Sequence, residues 1–272
     1  MTMIDAYKMD GLGNDFLIID RRNNSVDLDK DKVIELGNRN NFGFDQLIFI
    51  DAEINNTTPI VIFNSDGDEV SACGNGSRCV AYLLGKEKDV NSISLKTNER
   101  VLIAEIIENY SVKINMGKPI FNWDKIPLSR NLDNKKINIE IDGRKFNEGF
   151  ALNIGNPHIV FFVKDCFEND LKKIGPQIEN HELFPEKCNV TFAQVNDENN
   201  INVNVWERGA GLTKACGTAA CATAVASHLK GLTKRKVNII FKKGILNLEF
   251  NESSNIFMTG PVSDIKKIKL EI

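Results

Sequence analysis

Along most of the chain, short apolar runs rich in β-branched and aromatic residues alternate with polar turns, which is the pattern of a strand-rich protein. β-branched and aromatic residues dominate the runs at 16–20, 46–51, 60–64, 92–97, 101–105 and 111–115, and again at 137–141, 158–163, 190–194, 203–207, 237–241 and 245–250, so these segments are predicted as strands. Helical spacing is confined to 31–38, 77–84, a stretch around 171–177, and 218–229, the last stopped by Gly231. The Lys/Asn/Asp-rich stretch 129–136 is predicted as a surface loop near a domain boundary. Many strands with few helices predict an α+β chain. The 272 residues suggest about two domains.

A second periodicity is longer. ACGNGSRCVAYLL (72–84) is similar to ACGTAACATAVAS (215–227), and the two leading cysteines, Cys73 and Cys216, lie 143 positions apart (216 − 73). Gln46 and Asn189 share that offset, as do Asn64 and Glu207, while GNDF (13–16) and GNPH (155–158) are offset by 142. Four polar landmarks in one order at nearly one shift indicate two copies of a strand-rich unit, each ending in a loop that starts a helix. A site between pseudo-equivalent halves is a common location for a ligand.

The loops carry chemistry. In Cys73-Gly74-Asn75-Gly76, a cysteine precedes glycines that allow close backbone approach, then a helix. A helix N-terminus offers unpaired N–H groups and partial positive charge to an anion. The same position is expected to lower a thiol pKa. Cys216-Gly217-Thr218 repeats the arrangement. Two such loops suit a substrate carboxylate held by N–H donors, with one cysteine removing and the other delivering a proton at the neighbouring carbon. Donors aimed at that carboxylate would stabilise the charge that grows in the transition state.

Composition narrows the alternatives. Net charge is −3 and the isoelectric point about 5.8, with 42% hydrophobic and 26% charged residues. The basic excess of a nucleic-acid or membrane-surface protein is absent. The first residues lack a basic segment followed by an apolar one, and no apolar run approaches the ~18 residues of a membrane span, so a cytoplasmic protein is expected. Six cysteines without a C-x-x-C, and three scattered histidines, support neither a disulfide framework nor a zinc site. Cys79, Cys166, Cys188 and Cys221 are read as buried core residues, and His181 and His228 as structural. Glycines 11 and 13 form no dinucleotide fingerprint, because a strand pattern follows them. The terminal Lys266-Lys267-Ile268-Lys269 reads as a solvated strand edge.

GLGNDF (11–16), NSDGDEVSACGNGSRC (64–79), GNPH (155–158) and ERGAGLTKACGTAACA (207–222) together resemble the diaminopimelate epimerase family, in its order and spacing along essentially the whole chain. The resemblance implies two pseudo-symmetric lobes, each a strand-rich barrel wrapped round a central helix. The expected boundaries are 1–117, completed by 263–272, and 118–262. It implies an epimerase that needs neither pyridoxal phosphate nor a metal, acts on a small molecule and forms a homodimer. Cys73 and Cys216 become the acid/base pair. Substrate contacts fall on Asn14, Gln46, Asn64, Gly74, Asn75, Asn156, Asn189, Glu207, Arg208, Gly217 and Thr218, while His158 and Glu207 match positions that tune the cysteines. Arg208 could grip a distal carboxylate in bidentate fashion, and Glu207 could face an ammonium. One departure is Ala219, where the family commonly has Gly; its methyl group requires a negative φ.

Two other functions fit parts of this pattern. A proline racemase or hydroxyproline epimerase would use comparable cysteines but would not need Arg208 and the asparagines for a distal carboxylate. A phenazine-biosynthesis-type isomerase shares the implied fold without the paired cysteines. A binding protein that kept the pocket is disfavoured by the presence of both cysteines, and turnover separates it from an enzyme.

Overall fold

The alternation along the chain becomes, in a computed structural model describing residues 3–23, 26–70, 73–98, 100–108 and 110–271, a strand-rich α+β structure with four helices among those residues. Ala72, which opens the first cysteine motif, lies outside the described residues. Two compact units divide the chain. One runs to Asn115 and resumes at Thr259, and the other is Met116–Met258.

The first unit begins with β1 (Met3–Asp10), which pairs antiparallel with β2 (Asp15–Asp20). Helix α1 (Lys30–Gly37), capped by Asp29 accepting from the Lys32 N–H, then leads to β3 (Gln46–Ile50), which lies parallel to β2 with Phe16 opposite Gln46. Next come β4 (Thr58–Asn64), antiparallel to β3 with Gln46 opposite Asn64, and the short β5 (Glu69–Val70). Helix α2 (Gly74–Lys88) follows, then β6 (Ser92–Lys96), parallel to β4, and the antiparallel β7 (Val101–Glu108) and β8 (Ser111–Gly117). Leu17, Ile19, Val33, Leu36, Leu47 and Phe49 form part of the core between α1 and the strands.

The second unit contains β9 (Ile137–Ile141), β10 (Arg144–Asn153) and β11 (Pro157–Phe162). Helix α3 (Leu171–Glu179) connects β11 to the parallel β12 (Asn189–Asp197), with His158 opposite Asn189. Strand β13 (Asn200–Glu207) turns back on β12 and continues into β14 (Gly211–Leu212). After α4 (Gly217–Leu229) come β15 (Lys236–Phe241), parallel to β13, then β16 (Gly244–Phe250) and β17 (Ile256–Pro261). Phe146, Phe161 and Phe192 pack together in its core. The order of pairings in this unit, antiparallel, parallel through a helix, antiparallel, short strand, buried helix, then parallel again, is that of the first unit.

Both inner helices are buried nearly all round, as helices with no polar face are. In α2, residues 74–85 are buried, while the charged tail Lys86–Lys88 sits where cations favour a helix C-terminus. Helix α4 is alanine-rich, a composition of high helix propensity, and the buried hydroxyls of Thr223 and Ser227 donate to the Ala219 and Ala224 carbonyls. Gly231 follows with φ +72°, a left-handed stop. Ala219 is fully buried within α4 and is not among the positive-φ residues, so its methyl group fits.

Several elements go beyond the sequence pattern. Helix α2 starts three residues ahead of 77, because the cap at Cys73 and burial outweigh the poor propensity of Gly-Asn-Gly. Strand β10 carries a register shift between Phe146 and Gly149, with Glu148 at φ +59°, which breaks the alternation that would reveal it. The terminal lysine run lies in β18 (Lys266–Glu271), paired with β1 so that Ala6 meets Ile268. Lys267 there bonds Asp5 at 2.8 Å on the surface.

Candidate active site

Each cysteine loop forms where a short strand hands the chain to a buried helix. Cys73 and Cys216 are both helix N-caps in extended backbone, with φ/ψ of −142°/111° and −138°/116°. The residues behind each cap are small, as close packing demands: a Cβ at Gly76 would lie 2.6 Å from Ile48 Cδ1.

In the first unit, Cys73 is half-buried and its sulfur accepts the Gly76 N–H at 3.4 Å. Asn75, 2% exposed, donates to Asn14 Oδ1 at 3.0 Å, and Gln46 donates to Asn64 Oδ1 at 3.0 Å. The structure thus joins Asn14, Asn75 and the Cys73 loop, and sets Gln46 beside Asn64 across the β3–β4 register. Among the described residues, the carbonyl oxygens Gln46 Oε1 and Asn75 Oδ1 are buried without a protein hydrogen-bond partner. A buried acceptor left unpaired costs about 1–3 kcal/mol, so these oxygens suit a ligand that brings donors, such as an ammonium. Asp15 and Asp45, flanking Asn14 and Gln46, are bridged by Arg39; the Asp15 N–H donates to the Asp45 carboxylate and the Asp45 N–H to the Asp15 carbonyl. This brace escaped sequence reasoning, since nothing in the spacing of 15, 39 and 45 signals it.

In the second unit, Cys216 is 4% exposed and its sulfur lies 3.4 Å from Thr218 Oγ1. Thr218 accepts from Asn156 Nδ2 at 3.4 Å, and Asn156 Oδ1 accepts from His158 Nε2 at 2.8 Å. His158 is thus linked to Cys216 through Asn156 and Thr218. Burial, then the nearby charge of Arg208, lowers its pKa to about 3, which leaves the ring neutral and able to orient Asn156 without supplying charge. Asn189 donates to the Pro157 carbonyl at 2.8 Å and accepts the Arg208 N–H at 3.0 Å. Arg208 itself is exposed and donates from Nη1 to the Glu186 carbonyl.

Electrostatics modify one expectation. A helix N-terminus alone would lower a thiol pKa. Cys216 instead stands well above the ordinary thiol value, first because burial penalises the thiolate and next because Glu207 sits beside it, while Thr218 and the Ala219 N–H oppose the rise. Burial likewise raises Glu207 above the ordinary carboxylate range, although part of its side chain stays accessible. Burial also raises the thiols of Cys79, Cys188 and Cys166, the last to about 11, consistent with core residues. Among the described residues no group of three or more His, Cys, Asp or Glu could hold a metal ion. No helix among them is long and apolar enough to cross a membrane.

The fold is shared with a class of racemases, epimerases and isomerases. A predicted epimerase of Pseudomonas aeruginosa superposes with a TM-score of 0.69 at 15% identity, over 99% of both chains. A hydroxyproline epimerase of Agrobacterium vitis gives 0.67 at 11%, over 99% of this chain and 93% of that one. At such identities the likeness concerns the fold alone. The family profile for diaminopimelate epimerase matches residues 6–122 and 150–265. A diaminopimelate epimerase of Pelagibacter ubique is 52% identical over 99% of both chains, and one of a Wolbachia from Brugia malayi 42% identical over 96% of this chain and 99% of its own. The chain belongs to the diaminopimelate epimerase family.

Proposed function

We propose that this isomerase inverts one α-carbon of diaminopimelate, interconverting the L,L and meso forms by proton transfer between Cys73 and Cys216. The observation that carries this reading is that both cysteines cap buried helices in nearly the same backbone conformation, in units with the same succession of strands. Inversion requires a base on one face of the carbon and an acid on the other, so each lobe, 1–117 with 263–272 and 118–262, contributes one thiol. Cys216 is held protonated by burial and by Glu207, which suits it to deliver a proton. Cys73, half-buried and accepting a helix N–H, suits the thiolate role. When the transfer is complete the two sulfurs have exchanged states, and their titrations are coupled throughout.

The α-proton is weakly acidic because the carbanion shares charge with a carboxylate. The N–H groups at the starts of α2 and α4, from Gly74 and Asn75 and from Gly217 and Thr218, are the donors that would meet that charge. Asn14, Gln46, Asn64, Asn156 and Asn189 supply neutral hydrogen bonds, Glu207 an ammonium partner, and Arg208 a clamp for the distal carboxylate. A site of this kind rejects analogues without the distal group, because its own polar atoms would be left unpaired. His158 acts by fixing Asn156. The chemistry asks for no pyridoxal phosphate and no metal, the working form is a homodimer, and the place of action is the cytoplasm.

The test is turnover of L,L-diaminopimelate in deuterated buffer with chiral analysis of the product. Deuterium at the inverted carbon, with activity persisting through dialysis against chelator, is expected. Full retention of the original hydrogen would exclude exchangeable thiols as the acid and base. Sedimentation velocity checks the dimer.

A further inference from the structure

Arg208 stands on the turn between β13 and β14, where Gly209 and Gly211 both adopt left-handed backbone, with φ +74° and +85°. Such a turn has little intrinsic preference for one shape. A residue that must meet a carboxylate in bidentate geometry needs its backbone fixed. Asn189 fixes part of it by accepting the Arg208 N–H, and the Glu186 carbonyl holds Nη1 at 3.0 Å.

The remainder comes from Glu179, the last residue of α3 and only 5% exposed. Its Oε2 accepts the Trp206 Nε1–H at 2.6 Å, and its Oε1 accepts the Gly209 N–H at 3.0 Å. The two donors flank Arg208, one two residues before it and one directly after. The indole is held at the right distance by Gly175, four residues earlier on the same face of α3, where a Cβ would lie 2.5 Å from Trp206 Cγ. A buried carboxylate at a helix C-terminus is opposed both by desolvation and by the helix dipole. Stability alone gives a poor reason for Glu179 to stand there, whereas a fixed turn around Arg208 gives a good one. No motif in the sequence marks this residue.

We propose that Glu179 is a positioning residue that holds Arg208 in register for the distal carboxylate of the substrate; this rests on the reading of Arg208 as that carboxylate's clamp. Glu179 touches no substrate and acts through the turn. Replacing it frees Gly209 and Trp206 together, so recognition of the distal group weakens while proton transfer at the far end is largely spared.

The experiment is a double-mutant cycle on the full-length enzyme with Glu179→Ala and Arg208→Ala, measuring KM and kcat for diaminopimelate and inhibition by L-lysine, which lacks the distal carboxylate. Glu179→Ala is expected to raise KM about tenfold with kcat within about threefold, and to leave inhibition by lysine unchanged. In the Arg208→Ala background the same substitution should add nothing. Trp206→Phe, which keeps an aromatic ring but removes the N–H together with part of the indole, should raise KM about threefold, again only when Arg208 is present, and it carries the test if Glu179→Ala fails to fold. A KM increase that persists in the Arg208→Ala background, or an equal loss of lysine binding, would overturn the positioning role while leaving the clamp intact. If Arg208→Ala itself left KM unchanged, the clamp reading would fall and the proposal with it.

Discussion

The hydroxyl of Thr218 lies 3.4 Å from the sulfur of Cys216, two residues along the same helix start, and it also accepts the Asn156 amide. With its lone pair engaged by Asn156, Thr218 can turn its proton toward sulfur. It is thus a neutral donor that favours the thiolate against the combined effect of burial and Glu207. In the first unit the sulfur of Cys73 accepts from a main-chain group, the Gly76 N–H, at the same 3.4 Å, and Asn75 stands at the position of Thr218.

Replacing Thr218 by Val keeps the volume and removes that donor. The Cys216 thiol pKa should rise further, and kcat at neutral pH should fall by roughly tenfold, about one lost hydrogen bond to a charged group. The basic limb of the pH–rate profile should move upward. An unchanged profile would show that Thr218 does not act on the sulfur.

Glu207→Gln works in the opposite direction. Removing the carboxylate beside Cys216 lowers the thiol pKa, so at pH 8 more thiolate is present and iodoacetamide should label Cys216 several-fold faster than in the unaltered protein. Peptide mass spectrometry resolves Cys216 from the other five cysteines. Slower labelling would contradict the electrostatic assignment.

His158 links acid to stability. Its folded pKa of about 3 lies below the ordinary 6.5, so below pH 6.5 the unfolded chain takes up a proton that the folded protein refuses. Stability is therefore lost as pH falls from 6.5 toward 3. Between pH 7 and pH 4 the unaltered protein should lose about 3 kcal/mol more than His158→Gln, read from urea unfolding at both pH values. Equal losses would place the titrating group elsewhere.

The cysteines should separate into two groups. Cys73→Ala and Cys216→Ala should each reduce turnover by about 10²–10⁴-fold or more with the melting temperature little changed. Cys79→Ala and Cys221→Ala, fully buried on the inner helices, should cost about 1 kcal/mol each and keep kcat. Near-normal turnover in Cys216→Ala would end the two-thiol mechanism.

What the sequence by itself determined is what short-range physics controls. Alternation placed β4, β8 and β9 within a few residues, since one-sided burial of a strand leaves a period of two. The Cys-Gly signals marked both helix starts because a cap and a small first turn are local requirements. The offset of 143 revealed paired loops before any contact was known. Tertiary structure alone decided the remainder. Strand β18 closes on β1 across more than 250 residues, a pairing that no local window contains. The thiol of Cys216 is pushed up rather than down, because burial sums over everything packed around it while the helix start is only one contribution. Glu179 meets Trp206 and Gly209 from 27 and 30 residues away, because α3 packs beside β13, and a side chain that serves through packing leaves no signature in the order of residues.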